Sequence, residues 1–256
     1  MSKIVVFDSG LGSLSIIRAI QKNTKTNIIY FADQKNYPYG QKTVKELKKI
    51  IEFTISSLKK KFNPDIIVVG SNTPTILFPD LFTTKTTIGV LPPVLDAIKK
   101  TKTKSIAILG TKATITSKQL DDYIANNSIP KNVLITKIDA TELIDLVETG
   151  KFIFDKSFCK KKINNILLNI FITKQIDVVT LSSTHLPFLN SMLKELFPTI
   201  SFLDPASQVA KQIIKNKIFE ESTKNSLQIY CSGNINLLQN NLSKLKIKNK
   251  IHSLKF

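Results

Sequence analysis

The chain has 256 residues, 42% of them hydrophobic, and a formal net charge of +18 from 37 basic and 19 acidic residues. This length suits one large domain or two of about 100–150 residues, and no apolar run approaches the roughly 18–20 residues that a transmembrane helix needs. The N-terminus has no signal-peptide pattern, and Cys159 and Cys231 follow no metal or disulfide spacing, so we expect a cytoplasmic protein.

The positive charge raises the question of a nucleic-acid partner, but the residue types favour a solvated, lysine-rich surface. Arg18 is the only arginine, whereas base recognition favours the forked guanidinium group, and no aromatic residues alternate with the lysines. The densest cluster, from Lys244 to Lys250, could contact something acidic. We therefore expect no nucleic-acid partner and no membrane partner.

Strand and helix patterns alternate along the whole chain. In order, they predict a strand at 4–7, a helix at 14–20, a strand at 27–32, an exposed turn at Pro38-Tyr39-Gly40, a helix at 43–62, a strand at 65–69, a helix from 94 to about 100, a strand at 105–109, a helix after Thr114, a strand at 132–139, a helix at 140–148, one or two helices in 155–174, a strand at 177–181, a helix at 206–218, a strand at 227–231 and a helix at 234–245. This alternation predicts an α/β fold with parallel sheets.

The turn at 8–13 resembles a phosphate-binding loop but lacks the Lys-Ser/Thr ending of a P-loop.

One stretch occurs twice, at residues 65–73 and again 112 residues later at 177–185. Each copy begins with an acid, continues as a β-branched apolar run and ends in small hydroxyl residues, which is typical of a strand buried on both faces. The same offset relates five later pairs: Leu77 and Leu189, Thr87 and Thr199, Ile88 and Ile200, Leu91 and Leu203, and Pro93 and Pro205. Ligands bind at the carboxyl ends of such strands, so the repeat predicts one pocket with Ser71 on one wall and Ser183 on the other.

The repeat also predicts two similar α/β domains with parallel sheets related by pseudo-two-fold symmetry. The segment after Pro205 is expected to complete the first half. We therefore assign residues 1–92 plus 206–256 to the first domain and residues 93–205 to the second.

Five motifs in chain order resemble those of the glutamate racemases of the aspartate/glutamate racemase superfamily. They are Phe7-Asp8-Ser9-Gly10-Leu11-Gly12, Pro38-Tyr39-Gly40, Ser71-Asn72-Thr73, Gly110-Thr111-Lys112-Ala113-Thr114 and Ser183-Thr184-His185-Leu186-Pro187. The resemblance covers nearly the whole chain and implies a cofactor-free active site between two domains, usually in homodimers. The implied reaction inverts the α-carbon of a dicarboxylic amino acid, glutamate or alternatively aspartate, with one cysteine on each face.

Both positions that correspond to the family's cysteines are serine here, Ser71 and Ser183. A thiol has a pKa near 8.5, whereas an alkyl hydroxyl ionises closer to about 15.7, the value for bulk water. The difference of roughly 6 to 7 pKa units corresponds to about 8 to 10 kcal/mol. We therefore expect racemisation by this chain to be impaired or absent.

The resemblance assigns further roles around these serines. It places Asp8 beside the first catalytic position and gives His185 and Glu148 supporting roles at the second. The implied substrate-binding residues are Ser9, Pro38, Tyr39, Gly40, Asn72, Thr73, Thr111, Thr114 and Thr184, and no metal is expected. Three alternatives stay open: Asp8 could cap the first helix, His185 could be an ordinary core or surface residue, and Glu148 could be a solvated helix-end residue.

The chain also departs from the family pattern outside the serines. Pro92 replaces an acid, Asp145 replaces a proline, and Gly70 and Ser182 stand where alanine and glycine are common. Three interpretations remain. The cysteines were replaced deliberately to trap a substrate complex; or the chain is a natural relative that binds an amino acid or dicarboxylate, or uses Asp8 and His185 on another substrate; or it is a basic nucleic-acid-binding protein.

Overall fold

The computed structural model describes residues 1–127 and 129–256. They form two compact units, the first from Met1–Val90 and Ala206–Phe256 and the second from Leu91–Pro205. This division falls two residues before the boundary that the sequence indicated, so that Leu91 and Pro92 belong to the second unit. No helix in the described residues is long and apolar enough to span a membrane.

The strands are short and alternate with helices, as expected for an α/β fold. They are β1 (Lys3–Asp8), β2 (Asn27–Ala32), β3 (Ile66–Val69), β4 (Thr87–Gly89), β5 (Ser105–Gly110), β6 (Leu134–Asp139), β7 (Val178–Leu181), β8 (Ser201–Leu203), β9 (Ser226–Cys231) and β10 (Ile251–Ser253). The helices are α1 (Ser13–Asn23), α2 (Val44–Phe62), α3 (Asn72–Leu77), α4 (Val94–Lys100), α5 (Lys112–Ile115), α6 (Lys118–Asn126), α7 (Thr141–Glu148), α8 (Lys151–Phe154), α9 (Lys156–Thr173), α10 (Asn190–Leu196), α11 (Ala206–Ile214) and α12 (Ile235–Lys244).

Each unit contains one parallel sheet, which confirms the predicted fold class. The strand order is β10-β9-β2-β1-β3-β4 in the first unit and β6-β5-β7-β8 in the second. All the strand pairings are parallel. The four-stranded order β2-β1-β3-β4 is therefore repeated in the second unit, and β9 and β10 extend the first sheet only.

Strand pairing shows which part of the sequence repeat is structural. Ile66 of β3 pairs with Ile4 of β1, and Val178 of β7 pairs with Ile106 of β5. Val178 lies 112 residues after Ile66, as the repeat requires, but Ile106 lies only 102 residues after Ile4. The offset of 112 therefore holds at β3 and β7, and the lengths of the connections differ elsewhere.

Two of the later pairs, Thr87 with Thr199 and Ile88 with Ile200, were wrong as structural equivalents. Ile67 of β3 pairs with Thr87, whereas the equivalent residue of β7, Val179, pairs with Phe202. Phe202 lies 115 residues after Thr87, so Thr199 is three residues away from the equivalent position. The connection from β7 to β8 is longer by three residues, which accounts for the shift.

The central strands are buried because helices cover both faces of a parallel sheet. All four residues of β3 and of β7 are buried, and so are residues 4–8 of β1. On one face of the first sheet, α2 packs its apolar stripe, including Leu47, Ile51 and Leu58, into the core. Its lysines at 45, 49 and 59–61 remain exposed.

Candidate functional site

In the first unit, the predicted site residues meet at the edge of the sheet where β1 and β3 end. Phe7 pairs with Val69, and the N–H of Gly70 donates to the carbonyl oxygen of Phe7 at 2.7 Å. This pairing fixes the start of both loops. The residues at and just after these strand ends, Asp8, Ser9, Ser71, Asn72 and Thr73, are all buried.

Asp8 does not occupy the N-cap position of the first helix. The N-cap residue of α1 is Gly12, which makes no side-chain capping bond. The Oδ1 atom of Asp8 accepts instead from the N–H of Ser9 at 2.7 Å. The carboxylate of Asp8, the last residue of β1, therefore contacts the backbone of the loop that follows the strand.

Ser71 occupies the N-cap position of α3, yet its hydroxyl makes no capping hydrogen bond. The residue is held through its carbonyl oxygen, which accepts from the Thr75 hydroxyl at 2.7 Å. The Thr75 hydroxyl oxygen also accepts from the N–H of Val90 at 3.1 Å. The backbone of Ser71 is thus tied to the end of β4, and its side-chain oxygen is not used for capping.

Of the two polar atoms of the Asn72 side-chain amide, only Nδ2 has a hydrogen-bond partner among the described residues. Its Nδ2 donates to the carbonyl oxygen of Val90 at 3.0 Å. Its Oδ1 is buried and has no hydrogen-bond partner among the described residues. Leaving a buried acceptor unpaired costs about 1–3 kcal/mol, so a ligand N–H at this position would be favoured.

The turn at Pro38-Tyr39-Gly40 is less exposed than predicted. Tyr39 is only 2% exposed, and its hydroxyl group donates to Oδ2 of Asp33 at 2.9 Å. It begins a short 3₁₀ helix, Tyr39–Gln41. Burial, followed by the negative charges of Asp33 and Asp8, raises the pKa of the Tyr39 hydroxyl well above its ordinary value. Tyr39 is therefore a neutral donor anchored in the first unit, while Pro38 and Gly40 are partly buried.

Asp33 is a buried, hydrogen-bonded residue at this edge of the sheet that the sequence interpretation did not single out. Its carboxylate accepts from Tyr39, from Nδ2 of Asn36 at 2.9 Å and from the Ser232 hydroxyl at 3.0 Å, and its N–H donates to the carbonyl oxygen of Asp8 at 2.8 Å. The available signal was its position directly after a predicted strand, the same position that singled out the other polar residues.

The second unit repeats the arrangement where β5 and β7 end. Leu109 pairs with Leu181, and the N–H of Ser182 donates to the carbonyl oxygen of Leu109 at 2.8 Å. This bond is the counterpart of the one between Gly70 and Phe7. The following residues Ser183, Thr184 and His185 are buried, and Thr114 lies beyond the end of β5 and is fully buried.

Thr111 and Thr114 are engaged with each other. Thr111 caps α5, its hydroxyl oxygen accepting from the N–H of Thr114 at 3.2 Å, and the two hydroxyl oxygens lie 2.9 Å apart. The predicted pair is thus brought together at the start of a helix. Their two hydroxyl groups therefore lie side by side at the carboxyl end of β5.

His185 and Glu148 form a buried pair. Nε2 of His185 lies 3.0 Å from Oε2 of Glu148, and their side chains are 8% and 14% exposed. Glu148 ends α7 with only 14% of its side chain exposed, so the solvated helix-end alternative was wrong. For His185, the alternative of an ordinary core histidine stays open. A carboxylate in this position orients the imidazole ring and favours a proton on Nε2.

The described residues contain no group of three or more His, Cys, Asp and Glu side chains that could hold a metal ion. The two clusters instead provide hydroxyls, an amide, carboxylates and one imidazole. These groups can donate and accept hydrogen bonds and can transfer protons.

No family model matches the chain. Curated relatives match over most of their length. The glutamate racemase of Buchnera aphidicola subsp. Schizaphis graminum is 32% identical over 235 residues, which cover 88% of each chain. The glutamate racemase of Clostridium novyi is 30% identical over 263 residues, covering 96% of this chain and 95% of the relative.

Solved structures have the same fold. A glutamate racemase isoform from Bacillus anthracis superposes with a TM-score of 0.87 at 23% identity, covering 100% of this chain and 98% of that one. The Escherichia coli glutamate racemase in complex with L-glutamate and an activator gives a TM-score of 0.84 at 21% identity, covering 99% and 98%. The Campylobacter jejuni enzyme gives 0.75 at 25% identity, covering 97% and 100%.

Proposed function

Since the chain belongs to the glutamate racemase family, we propose that it binds glutamate and that Ser71 and Ser183 occupy the positions of the two bases that invert the α-carbon. The observation that carries this proposal is the matched position of the two serines. Each is the second residue after a strand, β3 or β7, and each follows a residue whose N–H bonds the neighbouring central strand. Inversion by proton transfer needs two equivalent groups on opposite faces of one carbon.

The surrounding residues are proposed to support these two positions. Asp8 serves the first, and the pair of His185 and Glu148 serves the second. The groups proposed to hold the carboxylates and the ammonium of the substrate, with the loop that covers them, are Ser9, Pro38, Tyr39, Gly40, Asn72, Thr73, Thr111, Thr114 and Thr184. The unpaired Oδ1 of Asn72 supports this assignment, because it could accept from an ammonium group.

Serine makes the proposed reaction slow. The 8 to 10 kcal/mol deficit in basicity corresponds to roughly a millionfold or more in rate if it acts fully on the transition state. The neighbouring carboxylates of Asp8 and Glu148 and the imidazole of His185 can recover only part of that difference. We propose that the chain binds glutamate well and racemises it poorly.

The finer assignments are proposed on the same family basis. The reaction would use no cofactor, and the chain would act as a homodimer in the cytoplasm. Glutamate is preferred to aspartate as the ligand because related structures contain L-glutamate in Escherichia coli and D-glutamate in Francisella tularensis.

A second candidate function rests on the pair of His185 and Glu148. The pair is buried and intact whether or not the serines can act as bases. Asp8 and His185 could therefore serve as acid and base on another substrate. Binding of a dicarboxylate without turnover is the simpler form of this alternative.

The test is α-proton exchange in D2O, followed by NMR, with L- and D-glutamate and then the aspartates. We expect little or no exchange with the chain as it stands. The double variant Ser71→Cys, Ser183→Cys should exchange the proton and invert the centre. Each single variant has one strong base, so it should exchange one enantiomer preferentially, with opposite preferences for the two variants.

A matched control adds two thiols elsewhere. Ser56→Cys, Ser157→Cys changes one exposed serine in each unit, neither of them a residue of the candidate site, and should leave exchange unchanged. Exchange by the unaltered chain would show that another group is the base. Exchange by neither the unaltered chain nor the double variant, with glutamate still bound, would leave the binding function and remove the racemase proposal.

A further inference from the structure

A cavity lies in the first unit, and none of the residues that line it belongs to the candidate site. It has a volume of about 490 Å³ and is formed by α1, the start of β9 and the turn after α12. Its cations are Arg18, Lys246 and Lys248, and no Asp or Glu is among the described residues that line it. The cavity therefore combines the single arginine of the sequence with part of its densest lysine cluster.

The floor of the cavity is apolar. Leu14 and Ile17 of α1 lie buried beneath it, and Leu227, Leu245 and Ile247 present partly buried apolar side chains to the cavity. Arg18, Lys246 and Lys248 are exposed residues at the rim of this floor. A ligand with an apolar ring and an anionic group would match both parts.

Side-chain amides hold the walls of the cavity in place. Asn225 donates from Nδ2 to the carbonyl oxygen of Gln21 at 3.1 Å, which ties the start of β9 to α1. Asn249 donates from Nδ2 to the carbonyl oxygen of Leu227 at 2.8 Å, which ties the turn to β9. The cavity is therefore preformed, as most small-molecule sites are.

The turn after α12 places Lys246 in a backbone conformation that favours glycine. The N–H of Lys246 donates to the carbonyl oxygen of Ser243, and that of Ile247 donates to Leu242, both at 2.9 Å. Such a pair of hydrogen bonds is typical of a helix end where the residue after the C-cap adopts the left-handed backbone conformation. Lys246 is that residue, with a φ angle of 61°. A lysine that lines the cavity thus stands where glycine would fit with less strain.

We propose that this cavity binds a small phosphate monoester that carries an aromatic ring. The ring would pack on Leu227, Leu245 and Ile247, the partly exposed apolar residues of the lining. The phosphate would be held by Arg18, Lys246 and Lys248, since the guanidinium group matches phosphate oxygens in a bidentate way and lysines add point charges. The volume lies within the range of small-molecule sites, about 300–1,000 Å³.

Phenyl phosphate is the probe, titrated calorimetrically into the full-length protein at low ionic strength. We expect saturable binding of one molecule per chain. Inorganic phosphate and phenol, which each carry one half of the probe, should bind about tenfold more weakly or not at all, because each loses one set of contacts.

Lys246→Gly gives a variant that removes the charge and also relieves the backbone. It should fold normally and bind phenyl phosphate about tenfold more weakly, since a charge-assisted hydrogen bond is lost. Lys104→Gly is the matched control. Lys104 is an exposed lysine of the second unit with φ of 64°, so this variant makes the same change in charge and conformation away from the cavity. Arg18→Gln should weaken binding as Lys246→Gly does.

Three results would overturn the proposal. The first is absence of saturable binding at millimolar phenyl phosphate. The second is an equal loss of affinity in Lys104→Gly and Lys246→Gly, which would show general attraction to a positively charged chain. The third is tight binding of a DNA duplex that displaces the probe, which would show an extended polyanion surface instead of a small-molecule site.

Discussion

Asp65 and Asp177, the acids that begin the two copies of the repeat, hold the loops at the amino ends of β3 and β7. Oδ2 of Asp65 accepts from the N–H of Lys3 at 2.8 Å. Asp177 accepts from the Thr101 hydroxyl and the N–H of Lys102, both at 2.6 Å, and from the N–H of Thr103. These acids lie at the other end of their strands from Ser71 and Ser183, so their role is structural.

Asp177→Asn is expected to destabilise the protein in a way that depends on pH. Burial alone would raise the pKa of Asp177, but the hydrogen bonds from Thr101, Lys102 and Thr103 outweigh it, so the pKa is lowered in the folded state. A lowered pKa contributes stability that is present above the unfolded pKa of about 3.9 and is lost as the pH falls through the folded value. We expect a loss of about 1–3 kcal/mol at neutral pH that shrinks below about pH 4.

Urea unfolding between pH 7 and pH 3 measures this difference. Asp122→Asn, at an exposed acid of α6, provides a control with the same change in charge. It should alter the free energy of unfolding little at any pH. A loss for Asp177→Asn that stays constant down to pH 3 would contradict the role given to its ionised form.

At the scale of elements, the packing of β3 on α1 explains Gly70. A Cβ atom at this position would lie 2.3 Å from Oγ and 3.2 Å from Cβ of Ser13, and 3.3 Å from the carbonyl oxygen of Phe7. The Ser13 hydroxyl fills the space that an alanine methyl group would need. Serine at the start of α1 and glycine before Ser71 are therefore a matched pair.

Gly70→Ala should cost about 1–3 kcal/mol of unfolding free energy, because the added methyl group overpacks the contact. Ser13→Ala alone should be neutral or stabilising, since the Ser13 hydroxyl is buried without a partner among the described residues. Combining the two should restore most of the loss, as measured by a double-mutant cycle in chemical denaturation. Strictly additive effects would show that the clash with Ser13 is not the cause.

At the scale of the whole molecule, the net charge of +18 leaves an excess of basic side chains over carboxylates. The lysine–carboxylate pairs in the described part of the chain, such as Lys48 with Asp80 and Lys137 with Asp121, have one or both partners exposed. Such pairs contribute at most about 1 kcal/mol each. Repulsion among the remaining lysines is expected to oppose the compact state.

Raising NaCl from about 10 mM to about 300 mM should therefore raise the thermal unfolding midpoint by about 2–4 °C, because salt screens this repulsion. Calorimetry or circular dichroism would record the midpoint at each concentration. A midpoint that falls with salt would mean that the surface ion pairs stabilise the protein more than the net charge destabilises it.

The sequence by itself determined the fold class and the parallel character of both sheets, because apolar runs and helical periodicity are properties of short segments. It also determined which loops carry polar residues after a strand, including those of Ser71 and Ser183. The roles of these residues stay predictions for the exchange experiment.

Only the tertiary structure decided which distant residues meet. Two features join segments that are far apart in the sequence: the pairing of His185 with Glu148 and the cavity around Arg18 and Lys246. A third, the burial of Tyr39 against Asp33, depends on how the backbone turns between these two residues. The three-residue strands β4, β8 and β10 were missed for the same reason. Their hydrogen bonds come from a neighbouring strand, and three residues are too few to show a pattern of their own.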